Sequence, residues 1–520
     1  MNRRRDATRD AAQAAGLPQL EPFDAHNREL AENVRPADWR NPQPAERYNL
    51  VVLGAGTAGL VAAAGAAGLG AKVALVEKAL LGGDCLNVGC VPSKALIRCA
   101  RAAAEVRGAH RYGVRVEGEV RVDFPAVMER MRRLRAGISP HDSVVRFRDL
   151  GVDVFIGEGR FVAKDAIEVD GRRLRFAAAC IATGARAAVP PIDGLADVGF
   201  LTNETVFSLT ELPARLAVIG AGPIGCELAQ AFARFGARVT LVEQADGILG
   251  REDRDAARII ERALEHDGVE IRVGTKLVRV EKSANGKRLF FQAEGAGDSD
   301  IVVDEVLVGV GRAPNVEGLG LEQAGVAYDR HEGVRVDPGL RTTNHKIYAA
   351  GDVCLPYKFT HTADAAARIV LRNALFYGRA KSDALHVPWC TYTDPEVAHV
   401  GLYEQEAREK GVEVVPFTVQ LAEVDRAVLD GETEGFLKVL VKKGSDEIVG
   451  ATLVSSHAGE TITELTAAMV TGSGLGKLAD TIHCYPTQAE AIKRAADAFN
   501  RTRLTPFVRR VFERLLAWRR

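Results

Sequence analysis

The hydrophobic pattern of the chain contains the same arrangement twice. A mostly apolar run at Tyr48–Leu53 is followed by Gly54, an alanine-rich stretch from Thr57 and a second apolar run at Lys72–Glu77. Short apolar runs on either side of a longer alanine-rich stretch predict a strand, a helix and a second strand in a βαβ unit. The second copy predicts a strand, a helix and a strand at Leu216–Gly220, Pro223–Phe235 and Arg238–Glu243.

Outside these two copies the pattern changes. Ala179–Ala185 predicts a buried strand that ends in a glycine turn. From about His386, strand and helix signals alternate, with strands predicted at Trp389–Tyr392, Gly435–Val441 and Ile448–Val454 and helices near Glu460–Thr471 and Gln488–Phe499. The predicted fold class is therefore α/β, with two Rossmann-like dinucleotide-binding domains and a C-terminal α+β domain.

The two ends of the chain have their own patterns. Residues 1–47 are polar and contain five prolines, which predicts an extended arm or a partly disordered leader. Thr505–Arg520 predicts an amphipathic helix with arginines around an apolar face. We expect this face to pack on the body of the protein or on a second subunit, and contact with a membrane surface is the alternative.

Composition narrows the class of protein. A net charge of −1 over 520 residues gives no reason to expect a nucleic-acid partner. The chain has 8 cysteines without a CxxC zinc pattern, and only Cys85 and Cys90 are close in sequence. The basic N-terminus lacks the apolar run of a signal peptide. These observations favour a reducing, cytoplasmic location.

Each βαβ copy carries a glycine fingerprint and an acidic residue. The first copy has Gly54, Gly56, Gly59 and Glu77, and the second has Gly220, Gly222, Gly225 and Glu243. The first glycine permits a tight turn, the second admits a pyrophosphate, and the third lets the helix approach the strand. In both copies the acid follows the first glycine by 23 residues, where a carboxylate can bind a ribose diol. The sequence therefore predicts two dinucleotide sites.

The segment from Gly82 to Lys94, with the letters GGDCLNVGCVPSK, carries a more specific signal. It resembles the redox-active signature of the class I flavoprotein disulfide reductases, which include lipoamide dehydrogenase, glutathione reductase and mercuric reductase. The resemblance spans about residues 48–505. It includes Thr183-Gly184, the segment with the letters GRAPN at residues 311–315 (the GRAPN segment) and Ala350-Gly351-Asp352.

This resemblance implies roles for particular residues. FAD would occupy the first fingerprint, NADH or NADPH the second, and Cys85 and Cys90 would form a redox-active disulfide. Cys90 would be the charge-transfer thiolate and Cys85 the thiol that meets the acceptor. Lys94 and Glu227 would form an ion pair beside the flavin. The residues that would contact FAD elsewhere are Thr183, Gly184, Gly351 and Asp352.

The resemblance also implies a domain order and a homodimer. The expected segments are an arm (1–47), the FAD domain in two parts (48–196 and 316–385), the NAD(P) domain (197–315), a dimerisation domain (386–504) and the terminal helix (505–520). A carboxylate at Glu243 would repel a 2′-phosphate and so favours NADH, although Arg251 could compensate.

One departure from the pattern concerns the acceptor. Disulfide-reducing members have a His before the proline where this chain has Tyr485, although Glu490 is present. Tyrosine is a poor base near neutral pH. Mercuric reductases have a tyrosine at the same distance before the Glu, which favours reduction of a soft metal ion such as Hg(II). The vicinal cysteine pair and the N-terminal CxxC domain of those enzymes are missing from the printed sequence.

Two other reaction classes stay open, a lipoamide-type dithiol dehydrogenase and a membrane-surface electron-transfer flavoprotein. No structural metal site is expected, and the candidate contacts to a substrate metal are Cys85, Cys484 and Tyr485. Cys484 is a candidate for a third thiol in the active site, and His483 is a candidate acid in place of the missing His.

Another departure from the family pattern is Asp84, which stands where the family has Thr. Its charge is expected to raise the pKa of Cys85.

Overall fold

The computed structural model describes residues 20–293 and 297–520. Within those ranges, the strands are β1 (Tyr48–Leu53), β2 (Val73–Glu77), β3 (Val152–Ile156), β4 (Gly159–Ala163), β5 (Ala166–Val169), β6 (Arg172–Ile181), β7 (Ala185–Ala187), β8 (Arg215–Ile219), β9 (Arg238–Val242), β10 (Glu270–Arg272), β11 (Thr275–Ser283), β12 (Gly286–Ala293), β13 (Gly297–Val303), β14 (Glu305–Val308), β15 (Arg312–Pro314), β16 (Tyr328–Asp329), β17 (Gly333–Val334), β18 (Ile347–Ala349), β19 (Pro388–Thr391), β20 (Glu396–Gly401), β21 (Val414–Gln420), β22 (Phe436–Lys442) and β23 (Ile448–Ser455).

The α-helices in the same ranges are α1 (Ala25–Val34), α2 (Thr57–Gly68), α3 (Gly83–Asn87), α4 (Cys90–Gly108), α5 (Phe124–Ile138), α6 (Val144–Asp149), α7 (Leu195–Val198), α8 (Pro223–Phe235), α9 (Arg254–His266), α10 (Leu321–Ala324), α11 (Thr360–Phe376), α12 (Glu404–Glu409), α13 (Asp425–Asp430), α14 (Ala458–Thr471), α15 (Leu475–Leu478), α16 (Glu490–Thr502) and α17 (Pro506–Trp518).

These elements form two compact units. The first runs to Gln244 and resumes over Arg272–Leu385, and the second comprises Ala245–Ile271 and His386–Arg520.

The first unit contains both predicted βαβ copies. Its largest described sheet has the order β3-β2-β1-β6-β5-β4, with β18 also paired to β6. Strands β3, β2, β1, β6 and β18 are parallel to one another, whereas β6 pairs with β5 in the antiparallel sense. Buried side chains lie on both faces of β1, which explains why its sequence is apolar with little alternation. The carboxyl ends of β1 and β6 therefore lie side by side, at the edge where open α/β sheets bind ligands.

The second copy forms its own parallel sheet. Strand β8 lies between β9 and β14, and the order of the described strands is β10-β9-β8-β14. Helix α8 connects β8 to β9 and buries most of its residues, including Cys226 and Phe232. The second prediction of a strand, a helix and a strand is confirmed, with each strand boundary within one residue of its prediction.

The second unit is α+β, as expected. Its described antiparallel sheet has the order β19-β20-β23-β22-β21. Helices α14 and α16 contribute to one hydrophobic core with this sheet, through residues such as Leu465 and Ala495. The predicted amphipathic helix is present as α17, and none of its residues is buried. Among the described helices, none is long and apolar enough to cross a membrane.

The expectation of an irregular N-terminal arm is wrong for Ala25–Val34, which is helix α1. The prolines at positions 22 and 36 flank this helix and do not interrupt it, and the Asp24 side chain accepts a hydrogen bond from the Asn27 backbone at its start. Leu30 and Val34 are fully buried in the core beneath the first βαβ unit. The first 19 residues of the predicted arm lie outside the described part of the chain.

Helix α1 is joined by hydrogen bonds to the segment that carries the cysteine pair. The Asn27 Oδ1 atom accepts a hydrogen bond of 2.6 Å from Arg135 Nη2, and Arg135 Nη1 donates to the Asn87 carbonyl at 2.6 Å. Asn27, Arg135 and Asn87 are all buried. The arm therefore fixes, through one guanidinium group, a carbonyl that lies between Cys85 and Cys90.

We expect Asn27→Ala to loosen this segment, because it leaves the buried guanidinium of Arg135 without one of its acceptors. Such a loss costs about 1–3 kcal/mol. Hydrogen–deuterium exchange should rise in peptides covering residues 81–90. The matched control is Asn33→Ala, which removes a 2.9 Å bond from the same helix to the Ser139 hydroxyl. Equal exchange in both variants would show that the Asn27 contact does not support the segment.

Candidate active site

The first glycine turn lies at the carboxyl end of β1 and is closed too tightly for side chains. Gly54 has a φ of +106°, and a Cβ there would lie 2.3 Å from the Ala182 carbonyl oxygen. A Cβ on Gly59 would lie 1.8 Å from the Gly54 oxygen, so α2 starts in contact with the turn. The helix N-terminus after Gly56 is thereby left open for an anion. This geometry fits the pyrophosphate of a dinucleotide.

The Glu77 carboxylate is fixed against the same glycine turn. Its carboxylate accepts hydrogen bonds from the Ala55 amide at 2.6 Å and the Ala79 amide at 2.7 Å, one on each oxygen. Burial raises the pKa of Glu77, and the two amides oppose this shift. Each oxygen keeps a further lone pair, so the fixed carboxylate can accept from the two hydroxyls of a ribose. The residues present fit the adenosine end of FAD.

The second glycine turn repeats this geometry. Gly220 has a φ of +99°, and a Cβ there would lie 2.6 Å from the Gly309 oxygen. A Cβ on Gly225 would lie 2.0 Å from the Gly220 oxygen. The Glu243 carboxylate accepts a 2.8 Å bond from the Ala221 amide, as Glu77 does from Ala55. The second site therefore fits a second dinucleotide.

The cysteine pair lies on two consecutive helices near the first glycine turn. Cys85 belongs to α3, and Cys90 is the first residue of α4, which is 19 residues long. The N-terminus of such a helix stabilises a thiolate. Both residues are free cysteines in this structure. The two side chains are close enough to share a hydrogen bond.

The pKa values of the two thiols are shifted in opposite directions. A hydrogen bond from Cys85 is the largest cause that lowers the pKa of Cys90 to about 6, and Thr360 and Lys94 lower it further against the effect of burial. The same bond to Cys90, followed by burial, raises the pKa of Cys85. At neutral pH the pair therefore holds a thiolate at Cys90 and a thiol at Cys85.

Lys94 and Glu227 form the ion pair that the family resemblance implies. The Lys94 Nζ atom lies 2.8 Å from Glu227 Oε2, and the Glu227 side chain is only 5% exposed. Lys94 lies about one helical turn after Cys90, and Glu227 lies on α8 of the second βαβ copy. The positive charge of Lys94 favours the Cys90 thiolate, while Glu227 opposes it.

Asp84 has a different partner from the one expected. Its carboxylate pairs with the buried guanidinium of Arg312, and Arg312 Nε also lies 3.4 Å from Asp352 Oδ2. The carboxylate that contributes to the raised pKa of Cys85 is Asp142. The expectation that Asp84 acts on Cys85 is therefore not supported, because Asp84 is neutralised by Arg312.

The remaining residues that were expected to contact the flavin lie on loops near the ion pairs of Arg312 with Asp84 and Asp352. The Thr183 hydroxyl donates to the Asn315 carbonyl at 2.7 Å, and the Asn315 amide donates to the Gly184 carbonyl at 2.9 Å. Gly351 has a φ of +82°, and burial raises the pKa of the adjacent Asp352. These contacts hold the loop after β6 against the GRAPN segment.

Thr360 is a site residue that the sequence reasoning missed. Its Oγ1 atom lies 3.4 Å from Cys90 Sγ, and it also hydrogen-bonds Cys85. Thr360 begins α11, which is 270 positions away from Cys90 along the chain. Its place at a helix start was the available signal, but the sequence gives no indication that this helix end meets the cysteines.

The C-terminal residues of interest belong to the second unit. The Tyr485 hydroxyl donates to Asp425 Oδ2 at 2.7 Å, which raises the pKa of Tyr485. Glu490 Oε1 accepts from Arg494 at 2.9 Å. Glu490 Oε2 is buried and makes no hydrogen bond within the described ranges. Tyr485 and Glu490 therefore do not form a hydrogen-bonded pair with each other.

The neighbouring His483 and Cys484 differ in exposure. His483 Nε2 lies 3.0 Å from Glu464 Oε1, and its side chain is 6% exposed, whereas Cys484 is exposed. Among the described residues, no group of three or more His, Cys, Asp or Glu side chains could hold a metal ion.

Sequence comparison identifies two family domains in this chain. Residues 48–367 match the family described as pyridine nucleotide-disulphide oxidoreductase, and residues 387–496 match its dimerisation domain.

Named relatives fall into two enzyme classes. The chain is 35% identical over 454 residues to a mercuric reductase of Staphylococcus aureus, a match that covers 87% of this chain and 83% of the relative. It is 36% identical over 464 residues to a dihydrolipoyl dehydrogenase of Thermus scotoductus, covering 87% and 98%. The sequence similarity therefore does not separate the two activities.

Solved structures share the fold. The Cu(II) complex of the HOCl-induced flavoprotein disulfide reductase RclA from Escherichia coli has a TM-score of 0.76 and 30% identity, covering 85% of this chain and 98% of that one. LpdA from Mycobacterium tuberculosis has a TM-score of 0.80 and 27% identity, covering 88% and 100%.

We expect Lys94→Gln to weaken the thiolate at Cys90, because it removes a cation that lowers the pKa of that thiol. In dithiothreitol-reduced protein, the rate of Cys90 alkylation by iodoacetamide, followed by mass spectrometry, should have its midpoint near pH 6. The midpoint should move to higher pH in Lys94→Gln. Lys72→Gln, which breaks another 2.8 Å ion pair of the same unit, is the control and should leave it unchanged. An unshifted midpoint in Lys94→Gln would contradict the assignment.

Proposed function

The chain belongs to the pyridine nucleotide-disulphide oxidoreductase family, and we propose that it passes electrons from NADH through FAD to Cys85 and Cys90 and then to a soft metal ion. It is an FAD- and NAD(P)H-dependent oxidoreductase, as its family membership establishes.

The proposed roles follow from the geometry of the first unit. Bound FAD supplies the two-electron transfer between the nicotinamide and the disulfide. Two electrons and two protons cleave the Cys85–Cys90 bond. Cys90 then releases its proton, since its pKa is about 6, and Lys94 stabilises the resulting thiolate. Cys85 keeps its proton until it meets an acceptor. A soft cation displaces that proton and binds to the sulfur.

The choice of a metal ion as the acceptor rests on the second unit, where the His–Glu dyad of the family is incomplete. A disulfide substrate needs a proton donor for its leaving thiolate, and the family uses a His paired with a Glu for this purpose. In this chain Tyr485 donates to Asp425, and Glu490 Oε2 has no hydrogen-bond partner among the described side chains and backbone. A metal cation is reduced without receiving a proton, so the loss of the dyad does not hinder it.

Hg(II) and copper are the metal candidates. Mercuric reductases are among the relatives at about one-third identity, and the RclA structure is a Cu(II) complex. The family resemblance implies that in a homodimer the segment with Cys484 and Tyr485 faces Cys85 of the other subunit, and we propose that these three residues bind the metal together. The exposure of Cys484 supports this role, and His483 is less suited because it is occupied by Glu464.

The second candidate function is that of a dihydrolipoyl dehydrogenase. Similarity to enzymes of that name is as high as to mercuric reductases. His483 with Glu464 is the specific feature in its favour, because this pair could supply a proton in place of the missing His.

We expect NADH to be the better donor. The Ala221 amide holds the Glu243 carboxylate against the second glycine turn. A carboxylate that meets the adenosine ribose accepts from a 2′-hydroxyl and repels a 2′-phosphate.

The test is an acceptor series with purified, FAD-loaded enzyme, each acceptor assayed with NADH and with NADPH. We expect turnover with Hg(II) or Cu(II) and NADH, and rates at least about 100-fold lower with lipoamide and glutathione disulfide, because general acid catalysis contributes about 10²–10⁴-fold.

The informative variant is Tyr485→His, which restores a dyad partner for Glu490. It should raise lipoamide turnover by about 10²-fold or more. Tyr485→Phe is the matched control and should not raise lipoamide turnover. Rapid lipoamide turnover by the wild-type enzyme, without metal reduction, would instead assign the chain to the second candidate function.

A further inference from the structure

The C-terminal helix α17 is exposed on all sides in this structure. It spans Pro506–Trp518 and starts at Thr505, whose side chain accepts a hydrogen bond from the Val508 amide. None of its residues is buried, and Phe507 and Trp518 are 69% and 84% exposed. Its Arg509–Glu513 ion pair is internal to the helix. Of the two partners expected for the apolar face, the body of the same chain does not cover it, and a second subunit is the other.

The side chains of α17 separate into two faces. At about 100° per residue, one half of the helix surface is apolar, and its members are Phe507, Val508, Val511, Phe512, Leu515, Leu516 and Trp518. The opposite half carries Arg510, Glu513 and Ala517. Arg509 and Arg514 lie at the two borders, where their aliphatic stems can lie along an apolar surface while the guanidinium groups reach outward.

The helix lies outside the part of the chain that the family uses for dimerisation. The dimerisation domain ends its match at residue 496, before the end of α16. A second copy of α17 is also a poor partner, because face-to-face packing would bring the bordering arginines of two helices together. Residues 505–520 contain five arginines and one glutamate, in a chain whose net charge is only −1. The positive charge is therefore local to this helix.

We propose that α17 docks the enzyme on the surface of a membrane that contains anionic lipids. An apolar half-surface bordered by arginines is the geometry of a helix that lies in the plane of a bilayer interface. The apolar side chains enter the boundary of the acyl chains, and the arginines contact lipid phosphates. Trp518 has the amphipathic ring that such interfaces favour. This docking does not depend on which acceptor the enzyme reduces, so the two proposals can fail separately.

The test uses the full-length, FAD-loaded enzyme and sedimented vesicles. We expect it to bind vesicles of phosphatidylcholine mixed with phosphatidylglycerol, and not vesicles of phosphatidylcholine alone. Arg509→Gln and Arg514→Gln, which each remove one of the two bordering guanidinium groups, should each weaken binding by about fivefold. Phe512→Asp should abolish binding. Ala517→Ser, on the polar half of the same helix, should leave it unchanged.

Three results would overturn the proposal. The first is no binding to the anionic vesicles, and the second is binding that persists in Phe512→Asp. The third is a shift from dimer to monomer caused by Phe512→Asp, measured by light scattering, since this would show that a second copy covers the apolar face. Turnover with a water-soluble acceptor should be equal in all these variants, which separates loss of docking from loss of folding.

Discussion

The negative charge on the Cys90 sulfur is the feature on which the proposed chemistry depends. Three groups stabilise this charge: the Cys85 thiol, the Thr360 hydroxyl and the Lys94 ammonium group. The same hydrogen bond that stabilises the thiolate holds the proton on Cys85. One bond therefore divides the pair into an electron-rich sulfur and a protonated sulfur, which are the two roles that a disulfide reductase requires.

Close contacts fix the backbone of both glycine turns. In both, the first and third glycines leave no room for a Cβ, and a carboxylate from the next strand binds the amide after the first glycine. The Lys94–Glu227 pair joins the helix that carries Cys90 to the helix that follows the second turn. This ion pair links the two nucleotide sites within one unit, so the cysteine pair cannot be positioned independently of either site.

Sequence reasoning recovered features that depend on neighbours in the chain. The βαβ boundaries, the glycine fingerprints with their acids and the Cys85–Cys90 pair follow from local spacing, and family resemblance supplied the Lys94–Glu227 pair. It missed features that depend on contacts between distant segments. Thr360 reaches Cys90 only because α11 begins beside it, and Asp84 is neutralised by Arg312, which lies 228 positions later. Helix α1 is not predicted by a rule that treats proline as a helix breaker, because Pro22 and Pro36 lie at its flanks and not inside it.

The most direct test of this account is a count of thiols before and after anaerobic addition of NADH to the oxidised, FAD-loaded enzyme. Transfer of two electrons to the disulfide must produce two new thiols in each chain. Mass spectrometry after maleimide labelling should locate the new labels on Cys85 and Cys90, with no change at the other six cysteines. If NADH is oxidised and no new label appears on these two residues, electrons leave the flavin by another route and the account is contradicted.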